Sequence, residues 1–204
     1  MLMFTIMKII GLTGGIATGK STVARLLAEH GARIIDADQL SREVVAPGSP
    51  LLAKVAELFG PEVISADGTL DRQGVRRLVF SDPARRRALE ALLHPAIAAL
   101  ARIRLEEARQ AGAPVAVYMA PLLIEAGATD RVDEIWVVTV RPEVQLARLM
   151  ARDHCTLEQA RQIVAAQMPL TEKERFGLVV IENSGSLEET ARQVDTAWRR
   201  RITA

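Results

Sequence analysis

The sequence predicts an α/β protein with one five-stranded parallel sheet and helices packed against it. Three observations support this. Five short apolar runs are spread along the 204 residues, each separated from the next by helical patterning, which favours parallel strands joined by crossover helices. The first run feeds a glycine-rich turn, Gly14-Gly15-Ile16-Ala17-Thr18-Gly19-Lys20-Ser21, that opens directly into a helical pattern. Between residues 50 and 112 strand patterning stops, leaving an all-helical insert.

The first strand is expected around Lys8 to Leu12, and the helix after the turn carries apolar spacing from Ser21 to Ala28 before stopping at Gly31. Ala32 to Asp36 reads as the second strand. The insert carries turn signals at Gly60-Pro61, Ala66-Asp67-Gly68 and Ser81-Asp82-Pro83. Inside its long helical pattern, Pro95 is expected to kink or end the helix after Leu93, because proline lacks an N–H and clashes with the preceding turn. Val115 to Met119, Glu134 to Val140 and Leu178 to Ile181 complete the sheet. Pro142 suits the first turn of a helix reaching Asp153. Thr156 with Gln159, and Ser186 with Glu189, form capping boxes, the second opening a final helix from about Leu187 to Arg201.

The turn has the spacing G-x-x-x-x-G-K-[ST], which suits a triphosphate. Its glycines let successive N–H groups face the phosphate oxygens, the following helix presents its positive end, Lys20 reaches the β/γ-phosphates, and Ser21 supplies an oxygen to Mg²⁺. The spacing alone arises by chance in roughly one chain in a hundred of this length. Strand, loop and helix in the required order make it more specific. The chain has only four lysines against twenty-two arginines, so a lysine at this position is less easily incidental.

In such sheets ligands gather beyond the carboxyl ends of the strands, where the second strand delivers Asp36-Ala37-Asp38. A kinase benefits from a carboxylate that orients an acceptor hydroxyl and takes its proton, and Asp38 suits that role. It equally suits an N-cap for a helix over Gln39 to Val45. Arg148 and Arg152, four apart on a helical pattern, share a face that either clamps phosphates or is simply solvated. His94, beside the proline, is a ligand-facing corner or a partner for freed backbone groups. Glu125, following Pro121-Leu122-Leu123 off the third strand, reaches a metal through water, reaches the acceptor, or is an ordinary surface glutamate. His30 and His154 lack metal-ligand spacing.

A net charge of +1 provides no global field for nucleic acid, and no stretch approaches the roughly 20 apolar residues of a membrane span. Cys155 is the only cysteine, so no internal disulfide forms and a reducing, intracellular compartment is expected. The apolar start, Met1 to Met7, has no basic leader and is too short for a signal core. A GTP-dependent switch would call for an N-K-x-D guanine-reading motif, which the sequence lacks.

Taken together, these residues resemble those of the dephospho-coenzyme A kinases, P-loop enzymes that phosphorylate the ribose 3′-hydroxyl of dephospho-CoA. The resemblance spans nearly the whole chain. It runs through Gly11 to Ile16 and Gly19 to Thr22, Ile35 to Asp38 with Arg42 and Val44-Val45, then Asp67 to Leu70 and Leu93-His94-Pro95. It continues through Pro121 to Leu123 with Glu125, Gln145-Leu146 with Arg148 and Arg152-Asp153, Gln167, and Val180 to Asn183. The resemblance implies a three-layer P-loop kinase fold, a single domain over residues 1–204. Its core would span about 7–38, 113–147 and 175–204, its helical acceptor-binding insert about 39–112, and its mobile lid about 148–174. It also implies Asp38, Lys20 and Arg148 as catalytic residues. ATP would be bound by Gly14, Gly15, Ile16, Ala17, Thr18, Gly19, Lys20, Ser21, Thr22, Arg148, Arg152 and Asn183, with Mg²⁺ on Ser21. Dephospho-CoA would be bound by Asp38, Arg42, His94, Leu122 and Glu125. The enzyme would be cytoplasmic, a monomer or weak homo-oligomer, with neither nucleic acid nor membrane as partner. Two positions depart from the family pattern. Ala17 stands where many members carry glycine, which requires backbone angles open to a residue with a Cβ. Leu178 replaces an aspartate and any polar contact it makes.

Overall fold

A computed structural model describes residues 7–80 and 82–203; the apolar start at residues 1–6 and Ser81 of the third turn signal lie outside them. The described chain forms two compact units, one running up to Ile35 and resuming at Ala108, the other spanning Asp36–Glu107.

The first unit holds a five-stranded parallel sheet. Its strands are β1 (Lys8–Gly14), β2 (Arg33–Asp36), β3 (Val115–Met119), β4 (Glu134–Thr139) and β5 (Val179–Glu182), in the order β2-β3-β1-β4-β5. β1 lies in the middle, pairing with β3 (Lys8 opposite Val115) and with β4 (Gly14 opposite Val138). Alternate residues Ile10, Leu12, Val115, Val117, Trp136, Val138 and Ile181 form a buried layer with Val23 and Leu27 of α1 (Lys20–Glu29) and Val194 and Trp198 of α9 (Leu187–Arg201). The two-residue period of the strands thus meets the apolar stripes of these two helices. β1 gives way to the glycine turn at its carboxyl end, and α1 begins at Lys20.

At the opposite end of the sheet, Glu134 is buried yet fully paired. It accepts from Trp136 Nε1 at 2.8 Å and Arg201 Nη2 at 2.9 Å, and Lys8 Nζ lies 2.9 Å away. Burial pushes its carboxyl up, but the hydrogen bonds from Trp136, Arg201 and Lys8 together outweigh that and hold it below its ordinary value.

After β4 the chain runs through α6 (Pro142–Asp153), α7 (Leu157–Ala165) and α8 (Leu170–Glu174) before returning as β5. Both expected capping boxes are present, Thr156 with Gln159 and Ser186 with Glu189.

The second unit contains α2 (Ala37–Glu43), α3 (Pro50–Phe59), a 3₁₀ turn at Pro61–Val63, α4 (Arg72–Phe80) and most of α5 (Pro83–Gln110). Val45, Leu52, Val55, Phe59, Val63 and Val75 form its core, joined by Leu89, Leu92 and Leu93 of α5. Of the two outcomes expected at Pro95, a kink or an end after Leu93, the second does not occur: α5 continues through Pro95. Ala91, His94 and Pro95 are exposed, so water can reach the carbonyl that proline leaves without a donor, and the packing of Leu89, Leu92 and Leu93 carries the helix past the defect.

Candidate active site

Gly19 caps α1 in the left-handed conformation (φ 85°) and offers no side chain to the first turn, so the positive end of α1 is not covered by a capping oxygen from residue 19. A Cβ there would collide with the Asn183 carboxamide. Lys20 folds back over the loop, donating to the carbonyls of Gly14 at 3.0 Å and Gly15 at 2.7 Å, which holds its ammonium over the phosphate cradle. Ser21 is exposed in the first helical turn. A single hydroxyl oxygen fits Mg²⁺, which keeps most of its shell as water and phosphate oxygens. Among the described residues there is no cluster of three or more acidic, histidine or cysteine side chains placed to hold a metal ion.

The loop main chain is gripped by three distant side chains. Gln167 Oε1 accepts from Ile16 N–H at 2.8 Å, Gln145 Nε2 donates to the Ile16 carbonyl at 2.8 Å, and Asn183 Nδ2 donates to the Thr18 carbonyl at 2.8 Å. Asn183 is steadied in turn by Thr190, whose hydroxyl donates to Asn183 Oδ1 at 2.8 Å. Asn183 therefore meets the loop rather than standing apart from it. Ala17, the departure noted in the sequence, does occupy a left-handed conformation (φ 59°), which costs a residue with a Cβ roughly 1–2 kcal/mol. Two hydrogen bonds on the adjoining residue, each worth about 0.5–1.5 kcal/mol net, match that cost.

The two arginines of α6 differ. Arg148 brings Nη1 to 3.9 Å from where a Gly19 Cβ would sit, beside the loop. Arg152 is tied to its neighbour Asp153 by Nε at 2.6 Å and Nη2 at 2.9 Å. Glu125 is engaged as well: Lys173, with a fully buried side chain, donates to both its oxygens at 2.7 and 2.9 Å and to the Pro121 carbonyl at 2.8 Å. Leu122 stands exposed on the turn that follows β3. Leu178 is exposed, and its N–H bonds the Ile135 carbonyl.

In the second unit, Asp36 caps α2, its Oδ1 accepting from Asp38 N–H at 2.9 Å. The capping role that Asp38 might have filled is thus taken by Asp36. Arg42 lines a groove of about 500 Å³ together with Gln39, Thr69 and Arg72. Burial first, and then the like charge of Arg42, push the Arg72 guanidinium below its ordinary value, while Asp38 pulls it the other way. Arg42, Arg72 and Asp38 therefore share one electrostatic neighbourhood. His94 is exposed on α5 and does not line this groove.

Sequence reasoning gave no role to Gln145, Gln167, Lys173 or Arg72. Gln145 had a readable signal, since it sits four residues before Leu149 on the buried stripe of α6, a polar residue in an apolar position. Arg72 is one of many arginines, and nothing local distinguishes it.

A family model described as dephospho-CoA kinase matches residues 8–189. A Geobacter metallireducens dephospho-CoA kinase is 56% identical over 196 residues, covering 96% of this chain and 98% of that protein. A crystal structure of a Thermus thermophilus protein superposes with a TM-score of 0.81 at 37% identity, covering 96% of this chain and 98% of the other. A dephospho-CoA kinase from Campylobacter jejuni shares the fold, with a TM-score of 0.72 at 23% identity over 96% and 97% of the two chains.

Proposed function

Since this chain belongs to the dephospho-CoA kinase family, we infer that its phosphate loop holds ATP for transfer to an alcohol acceptor. The reaction is ATP-dependent phosphorylation of the ribose 3′-hydroxyl of dephospho-CoA, giving CoA and ADP, the last step of coenzyme A biosynthesis. The observation that carries this reading is the loop from Gly14 to Ser21, with Lys20 folded over it, inside a family match that spans most of the chain.

The loop from Gly14 to Thr22 binds the triphosphate, through main-chain N–H groups other than that of Ile16, which Gln167 holds, and Lys20 and Arg148 stabilise the negative charge that spreads over the phosphoryl group in transit. Ser21 would hold Mg²⁺ together with the nucleotide, and the ion would supply neutralisation of the triphosphate charge. Asp38 orients the 3′-hydroxyl and accepts its proton. Arg42 and Arg72 receive the diphosphate of dephospho-CoA, because paired guanidinium groups in a groove match a dianionic linker. Asn183 positions the loop, and Glu125 anchors α8 through Lys173. Helices of the lid exclude water, without which ATP would be hydrolysed.

We also propose a cytoplasmic enzyme, a monomer or weak homo-oligomer acting on small molecules. No helix among the described residues is long and apolar enough to cross a membrane. The test is incubation with labelled ATP and either dephospho-CoA or AMP. Label on the 3′-position of CoA is expected; preferential labelling of AMP would replace this reading with a nucleoside monophosphate kinase, a rival sharing the same loop.

A further inference from the structure

We propose that Gln145 and Gln167 are positioning residues for phosphoryl transfer, a two-sided clamp on Ile16 that holds Ala17 left-handed and keeps the loop in its phosphate-binding shape. This rests on the phosphate-loop reading above.

The geometry is specific. Ile16 N–H belongs to the peptide before its Cα and Ile16 C=O to the peptide after it, and each is held at 2.8 Å by a different glutamine. Fixing both planes fixes the Ile16 torsions and sets the plane from which the φ of Ala17 is measured. Ala17 is one of two described non-glycine residues with positive φ, the other being His154 at the end of α6. The two carboxamides act in opposite senses, Gln167 through its oxygen and Gln145 through its nitrogen, so neither substitutes for the other. Gln145 is only 4% exposed and is also pressed against Gly15, where a Cβ would come within 2.8 Å of Nε2. Gln145 lies on α6 and Gln167 just after α7, so both ends of the clamp belong to the segment that folds over the loop. A glycine at position 17 adopts the left-handed conformation without strain and needs no clamp; an alanine does.

The experiment is a double-mutant cycle on phosphoryl transfer from ATP to dephospho-CoA. Gln145→Met and Gln167→Met keep side-chain length and remove the hydrogen-bonding group. Each is expected to lower kcat roughly 10- to 100-fold, the scale of a displaced reacting group, while KM for dephospho-CoA stays near that of the parent. Combined with Ala17→Gly, and measured against Ala17→Gly alone, the loss should shrink to about threefold or less. If each glutamine substitution costs as much with Ala17→Gly present as without it, neither acts through Ala17 and the proposal is overturned. Parent-level kcat in both methionine variants overturns it as well. Thermal melts verify folding; if Gln145→Met does not fold, Gln167→Met, at a partly exposed position, decides the same question. An inactive parent protein would count against the kinase reading rather than the clamp.

Discussion

Lys173→Met cuts the tether between α8 and the turn that follows β3. The side chain of Lys173 is wholly buried, and its ammonium makes three contacts between 2.7 and 2.9 Å, two to Glu125 and one to the Pro121 carbonyl. Removing one partner of a buried ion pair costs 3–5 kcal/mol in general, mainly because the other charge is stranded. Here Glu125 keeps 24% of its side-chain surface in water, so part of that penalty is recovered by solvation, and about 2–3 kcal/mol remains. For a domain of this size that corresponds to a fall in Tm of roughly 5–10 °C. Scanning calorimetry measures the fall, and amide exchange in α8 shows whether the loss is local. Adding Glu125→Leu removes the stranded carboxylate and is expected to restore more than half of the lost stability. A single variant that melts within about 1 °C of the parent, with α8 protected as before, would refute the argument that this pair holds the segment down.

Asp38→Asn is expected to abolish turnover while ATP binding, followed by nucleotide fluorescence, stays near normal; unchanged turnover removes Asp38 as the base. Arg72→Ala should raise KM for dephospho-CoA about tenfold or more, leave KM for ATP within about twofold, and make binding less sensitive to salt. Glu134→Gln should destabilise the protein by about 2–3 kcal/mol at pH 7, because Lys8 and Arg201 lose their shared anion. The folded-state pKa of Glu134 lies below its ordinary value of 4.5, so its contribution is complete above that value and is lost as pH falls through the folded value. Melting curves of parent and variant should therefore draw together as pH falls below 4.5, and a gap that does not narrow in acid would contradict the assignment.

Much of the fold could be read from local pattern because local rules were obeyed. The helix after Pro142 runs to Asp153 and the last helix spans Leu187–Arg201, since Pro142, Ser186 and Glu189 specify those starts by chemistry confined to one turn. Strand ends moved by a residue or two, as at Gly14 and Glu182, where pairing with β4 extends the ladder beyond the apolar run. At Pro95 the sequence left a kink or an end open, and propensity could not choose because it weighs one lost hydrogen bond without the leucine packing that lets the helix continue. Asp38 suited a cap for a helix from Gln39, but α2 starts at Ala37, two residues earlier, which gives the cap to Asp36. In the site, the residues proposed to hold phosphate announce themselves by spacing. Those that hold the loop in place do not, because Gln167 and Gln145 meet Ile16 across 151 and 129 residues of chain.

The same distant contacts bear on which part of the proposed lid would move. Just before it, α6 is fastened to Ile16 through Gln145, and the end of the 148–174 segment is fastened at three points: Gln167 to Ile16, Lys173 to Glu125, and Glu174 to the Thr139 hydroxyl at 2.6 Å. Between these lies the stretch from the second half of α6 through α7, where Arg152, Asp153, His154, Arg161 and Gln162 are exposed and the chain turns at His154 in a left-handed conformation. A lid that excludes water during transfer and then releases CoA must open somewhere, and opening at Gln167 would break the clamp on the loop it serves. Opening between Arg148 and Ala165 would not. On the proposed function, the moving part is therefore expected to be shorter than the 148–174 segment read from sequence, with fastened ends that would let it open without disturbing the phosphate cradle.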